Sequence, residues 1–196
     1  MFLTYTTSAL SDAASVRAAA LELPYYNNYI HPETFSPDGR EKGWQFRWAT
    51  ESDTYMVSAS ITETSGTLKT AIDEVISLVD EDEDLGTVDN YMAYCQYYKS
   101  SEDLPVPHYD FATGFDPIYN PDLMAIVYLS DVSGAMEFWS DIIPGSTTST
   151  FVVEKALSNN VLVMYDNTHA SRVKPAAFGT DETDSGLMLS IYMKTS

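Results

Sequence analysis

The sequence predicts a mostly β domain, a sandwich or jelly roll, with helices that support one sheet from outside. Three observations predict it. From Tyr91 onward the chain is a series of short β-rich runs separated by Gly, Pro, Asn and Asp. Before that point, two stretches repeat apolar residues at helical spacing. Finally, 44% hydrophobic and 13% aromatic residues in a chain of 196 supply enough apolar material for one substantial core, so a single domain over 1–196 is expected.

The first helix is expected over Ser8 to Leu23, with Ser11 as N-cap, Asp12 in the first turn, Val16, Ala19, Ala20 and Leu23 on one face, and Pro24 as the stop. Tyr25 to Trp48 is aromatic and interrupted by Pro32, Pro37 and Gly39, which suits packing segments or a substrate lid. Thr54 to Thr64 alternates as a strand. Leu68, Ile72, Val75, Ile76 and Val79 then mark a second helix. It runs into Asp80-Glu81-Asp82-Glu83-Asp84, where a calcium loop would need Gly sixth and Glu twelfth; those places hold Leu85 and Tyr91, so a solvated acidic turn is expected. Strands are expected at Tyr91 to Tyr98, His108 to Phe111, Met124 to Leu129, Ala135 to Trp139, Thr148 to Val153, Val161 to Tyr165 and Leu187 to Met193. The chain thus divides into a supporting part, 1–90, and a β core, 91–196.

A net charge of −19 with only 10 Lys and Arg disfavours phosphate backbones and anionic membranes as partners. One cysteine, Cys95, rules out an intramolecular disulfide and a cysteine-built zinc site, and the expected compartment is cytoplasmic. No apolar run reaches the ~18 residues that span a bilayer, and the first twenty residues lack the pattern of a signal peptide. Phosphate-loop, dinucleotide and nucleophile-elbow motifs are absent, and Cys95 sits in an expected buried strand.

His108-Tyr109-Asp110 carries the clearest chemistry. In a strand, residues two apart share a face at about 7 Å, close enough to bind one metal ion. With His169 they form two imidazoles and one carboxylate, a donor set suited to Fe(II) or Mn(II) with open positions opposite. The residues alone leave open that His169 belongs to a polar turn, Asp166-Asn167-Thr168-His169, and that His31 is structural.

The span from Tyr91 to the C-terminus resembles the 2-oxoglutarate/Fe(II)-dependent dioxygenases, particularly the prolyl-4-hydroxylase-like branch. The resemblance rests on His108-Tyr109-Asp110, on Ala125 to Leu129 leading through Gly134 into Ala135 to Phe138, and on Val161 to Tyr165 before His169 and Val173-Lys174-Pro175. It implies a double-stranded β-helix, a cupin-like jelly roll, with Fe(II) held by His108, Asp110 and His169. It further implies 2-oxoglutarate as cosubstrate, with Tyr98, ten residues before His108, hydrogen-bonded to it. The basic residue that the family keeps on its last strands falls near Gly186 to Met188, where none is basic. A buried carboxylate needs a partner, and Arg172, Lys174 and Arg47 are the candidate cations, with Ser190 offering a hydroxyl.

The resemblance therefore implies an oxygenase using O2 and 2-oxoglutarate to hydroxylate a protein prolyl residue or a small molecule. Tyr25 to Trp48 and Thr113 to Pro121 are the expected substrate mouth. Two other readings stay open: a metal- or carbohydrate-binding β-sandwich without turnover, and a structural protein kept soluble by its charge. Substrate identity and oligomeric state are beyond the sequence.

Overall fold

The computed structural model describes residues 3–27, 55–58, 60–98, 121–131, 134–140, 150–166, 170–175 and 186–196. The elements run β1 (Leu3–Thr7), α1 (Ala13–Leu21), β2 (Tyr25–Asn27), β3 (Tyr55–Ser58), α2 (Thr67–Asp80), β4 (Val88–Tyr98), β5 (Leu123–Tyr128) and β6 (Gly134–Ser140). They continue with β7 (Thr150–Leu157), β8 (Val161–Asp166), β9 (Ala170–Pro175) and β10 (Gly186–Thr195). Among the described residues all strand pairs are antiparallel. Seven strands form one sheet in the order β1-β8-β5-β10-β4-β3-β2, and three form another in the order β7-β6-β9.

Alternation along the strands divides the core in two. Leu187, Leu189, Ile191 and Met193 of β10, with Ala93 and Cys95 of β4 and Ala125 and Val127 of β5, share a cluster with the helices. Into it α1 inserts Val16 and Ala20, while α2 inserts Leu68, Ala71, Ile72, Val75 and Val79. The intervening positions, Met188 and Tyr192 of β10 among them, cluster with Met136 and Phe138 of the smaller sheet. Phe138 meets Tyr165 of β8 edge-on, with ring centroids 5.1 Å apart. The molecule is a jelly roll of two facing sheets, with helices on the outer face of the larger one. Each fully buried Leu, Ile or Phe contributes about 1.5–3 kcal/mol, so both layers share in holding β10.

The expected strands between Tyr91 and Met193 are present wherever the residues are described, each with slightly different ends. His108 to Phe111 lies outside them, as does Asn28 to Trp48 of the aromatic segment, whose start, Tyr25–Asn27, is β2. The strand expected over Thr54 to Thr64 is shorter, Tyr55–Ser58, although Ile61 N still donates to Ala93 O at 2.7 Å. The N-cap of α1 is Asp12 rather than Ser11. Asp12 accepts from Ser15 N at 3.0 Å, and the Ser15 side chain first, with this backbone bond second, holds its carboxyl below the usual range, whereas Ser11 donates through its N–H and hydroxyl to Glu74 of α2. β1 and β9 were not expected. Both are recruited by neighbours: β1 lies along β8 from Leu3↔Tyr165 to Thr7↔Val161, and β9 lies along β6 from Ala170↔Trp139 to Pro175↔Gly134.

The acidic turn is exposed from Asp80 to Asp84. Its carboxylates close the turn: Asp80 Oδ1 accepts from Val88 N at 2.8 Å, and Asp82 Oδ1 from Asp84 N at 3.0 Å. Among the described residues no helix is long and apolar enough to cross a membrane.

Candidate functional site between the sheets

β10 lies at the centre of the larger sheet, paired with β4 on one side and β5 on the other. Its inner face presents Met188, Ser190 and Tyr192. Ser190 stands opposite Tyr94 of β4 and Ile126 of β5, while Met188 stands opposite Gln96 and Tyr128. Apolar neighbours from the smaller sheet cover this row, so its polar atoms lie in a desolvated layer.

Those polar atoms form two groups. Tyr94 donates to the Tyr192 hydroxyl at 2.6 Å, the two rings stack at 5.4 Å, and Gln96 Nε2 donates to Tyr94 Oη at 3.4 Å. This network fixes the wall beside Ser190. The second group is Ser190, 1% exposed, whose hydroxyl has no hydrogen-bond partner among the described residues, and Tyr128, 0% exposed, whose hydroxyl has Ser130 beside it. Burial pushes the Tyr128 phenol up to about 12, offset only in part by nearby Ser130, so it remains a protonated donor. Leaving a buried hydroxyl unpaired costs about 1–3 kcal/mol each. Ser190 and Tyr128 are diagonal neighbours across β10 and β5, their Cβ atoms within about 8 Å.

His108 and Asp110 lie outside the described residues, as does His169, which immediately precedes Ala170, the first residue of β9. Among the described residues no three His, Cys, Asp or Glu converge as a metal site. Tyr98 closes β4, in register with Gly186 of β10 and Tyr55 of β3, four positions along β10 from Ser190, or roughly 13 Å. Arg172 stands opposite Glu137 of β6, and Glu137 in turn stands opposite Glu154 of β7, which sets Arg172 in one row with two carboxylates. Glu137 is 4% exposed and accepts from Trp139 Nε1 at 3.2 Å. Lys174 stands opposite Ala135, and Arg47 lies outside the described residues.

The sequence reading missed Tyr128, Tyr94, Tyr192 and Gln96 as site residues. Tyr128 is hidden in an apolar run, Leu123–Tyr128, whose six residues are all buried. Its only signal was period-2 alternation with Ile126 and Met124, which puts its ring on the face away from the helices. Cys95 lies on the helix side, and burial pushes its thiol up to about 12, which makes it a core residue rather than a nucleophile.

The chain matches no protein-family model and no curated protein sequence. Solved structures do share its architecture. A prolyl-4-hydroxylase from Pseudomonas putida superimposes with a TM-score of 0.55 at 14% identity, over 99% of this chain and 92% of its own. HygX from Streptomyces hygroscopicus, solved with nickel and 2-oxoglutarate bound, gives a TM-score of 0.60 at 10% identity over 99% and 83%. SnoN, a non-heme alpha-ketoglutarate-dependent epimerase of nogalamycin biosynthesis, gives 0.59 at 12% over 98% and 77%. The chain has their fold. At these identities the likeness is one of architecture, and it extends over nearly the whole chain.

Proposed function

We propose that the chain is a non-haem Fe(II)- and 2-oxoglutarate-dependent oxygenase of the prolyl-4-hydroxylase-like branch, acting in the cytoplasm on a protein prolyl residue or a small molecule. The observation that carries this reading is the end-to-end likeness in fold to such enzymes, joined to the order of His108, Asp110 and His169 along the chain. The described residues fit part of the cosubstrate: Ser190 offers a buried, unpaired hydroxyl to an oxygen-bearing group.

In this reading His108, Asp110 and His169 hold Fe(II), with the Asp110 carboxylate and two neutral imidazoles offsetting part of its charge. Tyr98 and Ser190 hold 2-oxoglutarate, with Arg172 the candidate cation. Bound there, metal and cosubstrate supply the oxidising chemistry, with O2 consumed and succinate released. The remaining work belongs to the chain. Met136, Phe138, Met188 and Tyr165 keep the inter-sheet layer apolar and exclude water, and the Tyr94–Tyr192 pair holds the wall beside Ser190 in one position. A net charge of −19 favours a neutral or basic substrate over an acidic one.

The test is Fe(II)-dependent succinate formation. Wild type is expected to form succinate, and His108→Ala to lose more than about 100-fold, since loss of even an outer-shell contact costs about 10–100-fold at metal sites. Equal silence of both proteins, with iron shown bound to wild type, would end the turnover reading. A second reading, a metal- or carbohydrate-binding sandwich without turnover, is favoured by one observation: Gly186 to Met188, where the family keeps its basic residue, holds none. Calorimetry separates the two, because Mn(II) binding without any subsequent 2-oxoglutarate binding selects the second.

A further inference from the structure

We infer that β7 takes an extended basic peptide as an added strand, and that this peptide is the substrate. The inference rests on the oxygenase reading and names the substrate class. Among the described residues β7 is an outer strand of the smaller sheet, paired only with β6. An outer strand presents a row of N–H and C=O groups that a further strand can complete. From Val153 to Leu157 the ladder to β6 is regular, and neither Gly nor Pro interrupts it.

Exposure marks the same edge. Of the four large apolar side chains exposed among the described residues, three lie on outer strands: Phe151 and Val152 on β7, at 48% and 40%, and Tyr5 on β1 of the larger sheet. Lys155 of β7 lies 6.0 Å from the centre of the Tyr5 ring, so both outer strands border one side of the sandwich. Val152 has no partner on β6, because Trp139 pairs with Phe151 and Phe138 with Val153. This bulge leaves two consecutive apolar side chains in solvent.

The bulge and the charges choose the occupant. A bulged edge is bent and twisted, which obstructs the flat edge of another folded sheet, while a flexible peptide follows it. A second copy would also bring a further −19 against the first. Glu154, exposed midway along the edge, sets an opposite charge across from a Lys or Arg of the added strand, and Phe151 and Val152 take an apolar side chain. Position ties the edge to the candidate metal ligands. Ala170, Trp139 and Phe151 form one row across the three strands, so Phe151 lies about 10 Å from the residue that follows His169. A peptide antiparallel to β7 has its C-terminal part at that end.

The probe is a short fluorescein-labelled peptide in which Lys and Val alternate, with one Pro C-terminal to them. Anisotropy on the full chain, with neither metal nor cosubstrate, reads docking. The peptide is expected to bind, and the same peptide with Glu for Lys at least about tenfold more weakly. An antiparallel ladder uses the amides of alternate residues on each side. N-methylation of one alternate set is therefore expected to weaken binding at least about tenfold, and of the other set to leave it within about threefold. Val152→Lys, at an exposed position, is expected to weaken the unmethylated peptide at least about tenfold with the melting temperature unchanged. With Fe(II) and 2-oxoglutarate, the peptide is expected to raise succinate formation several-fold in wild type. Val152→Lys should keep the peptide-independent rate and show no rise.

Equal binding of the two methylated peptides overturns the inference, as does equal binding of the Lys and Glu peptides or an affinity that Val152→Lys leaves unmoved. A wild-type dimer that Val152→Lys makes monomeric in sedimentation overturns it too, because a second copy then covers the edge. A peptide that docks without raising a measurable basal rate overturns its role as substrate. If no succinate forms with iron bound while anisotropy still reads docking, the oxygenase reading falls and the substrate role with it, an outcome distinct from loss of docking.

Discussion

Cys95 and Tyr128 sit on opposite faces of the larger sheet, and burial acts on both in the same direction. The Cys95 thiol is pushed from 9.0 to about 12 and the Tyr128 phenol from 10.0 to about 12. Both groups become anions on losing a proton, so the low-dielectric core disfavours deprotonation, while the unfolded chain loses those protons earlier. The sign follows: their contribution to stability is fully present below 9.0, the unfolded value for Cys95, and is lost as the pH rises towards 12. Urea midpoints measured from about pH 7 to about pH 11 are expected to fall above pH 9, and in Cys95→Ala the fall should begin nearer the tyrosine value of 10.0. Identical profiles for the two proteins would mean that the thiol ionises no more easily unfolded than folded.

At the scale of elements, one residue joins two distant connections. Asn160, in the turn between β7 and β8, has φ 62. Its side-chain amide accepts from Leu10 N and donates to Leu10 O, both at 2.8 Å, while its backbone N–H donates to Tyr128 O at 2.8 Å. The segment entering α1 is thereby tied to the end of β5. Asn tolerates this left-handed conformation better than most residues, and Gly better still. Asn160→Ala loses both side-chain bonds and strains the backbone, for an expected loss of about 2–4 kcal/mol, and Asn160→Gly is expected to recover about 1 kcal/mol of it. Urea denaturation of both variants checks the order; an equal loss would show that the side-chain bonds carry the whole effect.

Such long-range ties mark the boundary of what the sequence alone discloses. Elements whose apolar spacing repeats, such as α2 with Leu68, Ile72, Val75 and Val79, were legible because the period is local. β9 was not, since Ala170-Ser171-Arg172-Val173-Lys174-Pro175 has little apolar pattern and is a strand only because β6 pairs with it. β1 was missed for the same reason, its strand character coming from β8 at the far end of the chain. Ser11 and Asp12 were both read as start signals of α1, but the choice between them was set by Glu74 on another helix. In the site, Ser190 could be named from the final strand, whereas the burial of Tyr128 depends on what β10 and β5 place around it.

For the molecule as a whole, the net charge of −19 bears on both stability and ligand entry. Like charges repel in the compact state, and the same field repels an approaching anion. Raising the ionic strength from about 0.01 M to about 0.1 M shortens the screening length from about 30 Å to about 10 Å. The melting temperature is therefore expected to rise with salt. In stopped-flow measurements on the Mn(II)-loaded protein, association of 2-oxoglutarate, with two charges, is expected to quicken with salt. Association of a 2-oxo acid with one charge should quicken less, because the repulsion scales with the charge of the ligand. A rate for 2-oxoglutarate that falls with salt would reveal a local positive field at the mouth strong enough to outweigh the global charge. It would point to one of the candidate cations Arg172, Lys174 and Arg47 as the cosubstrate anchor.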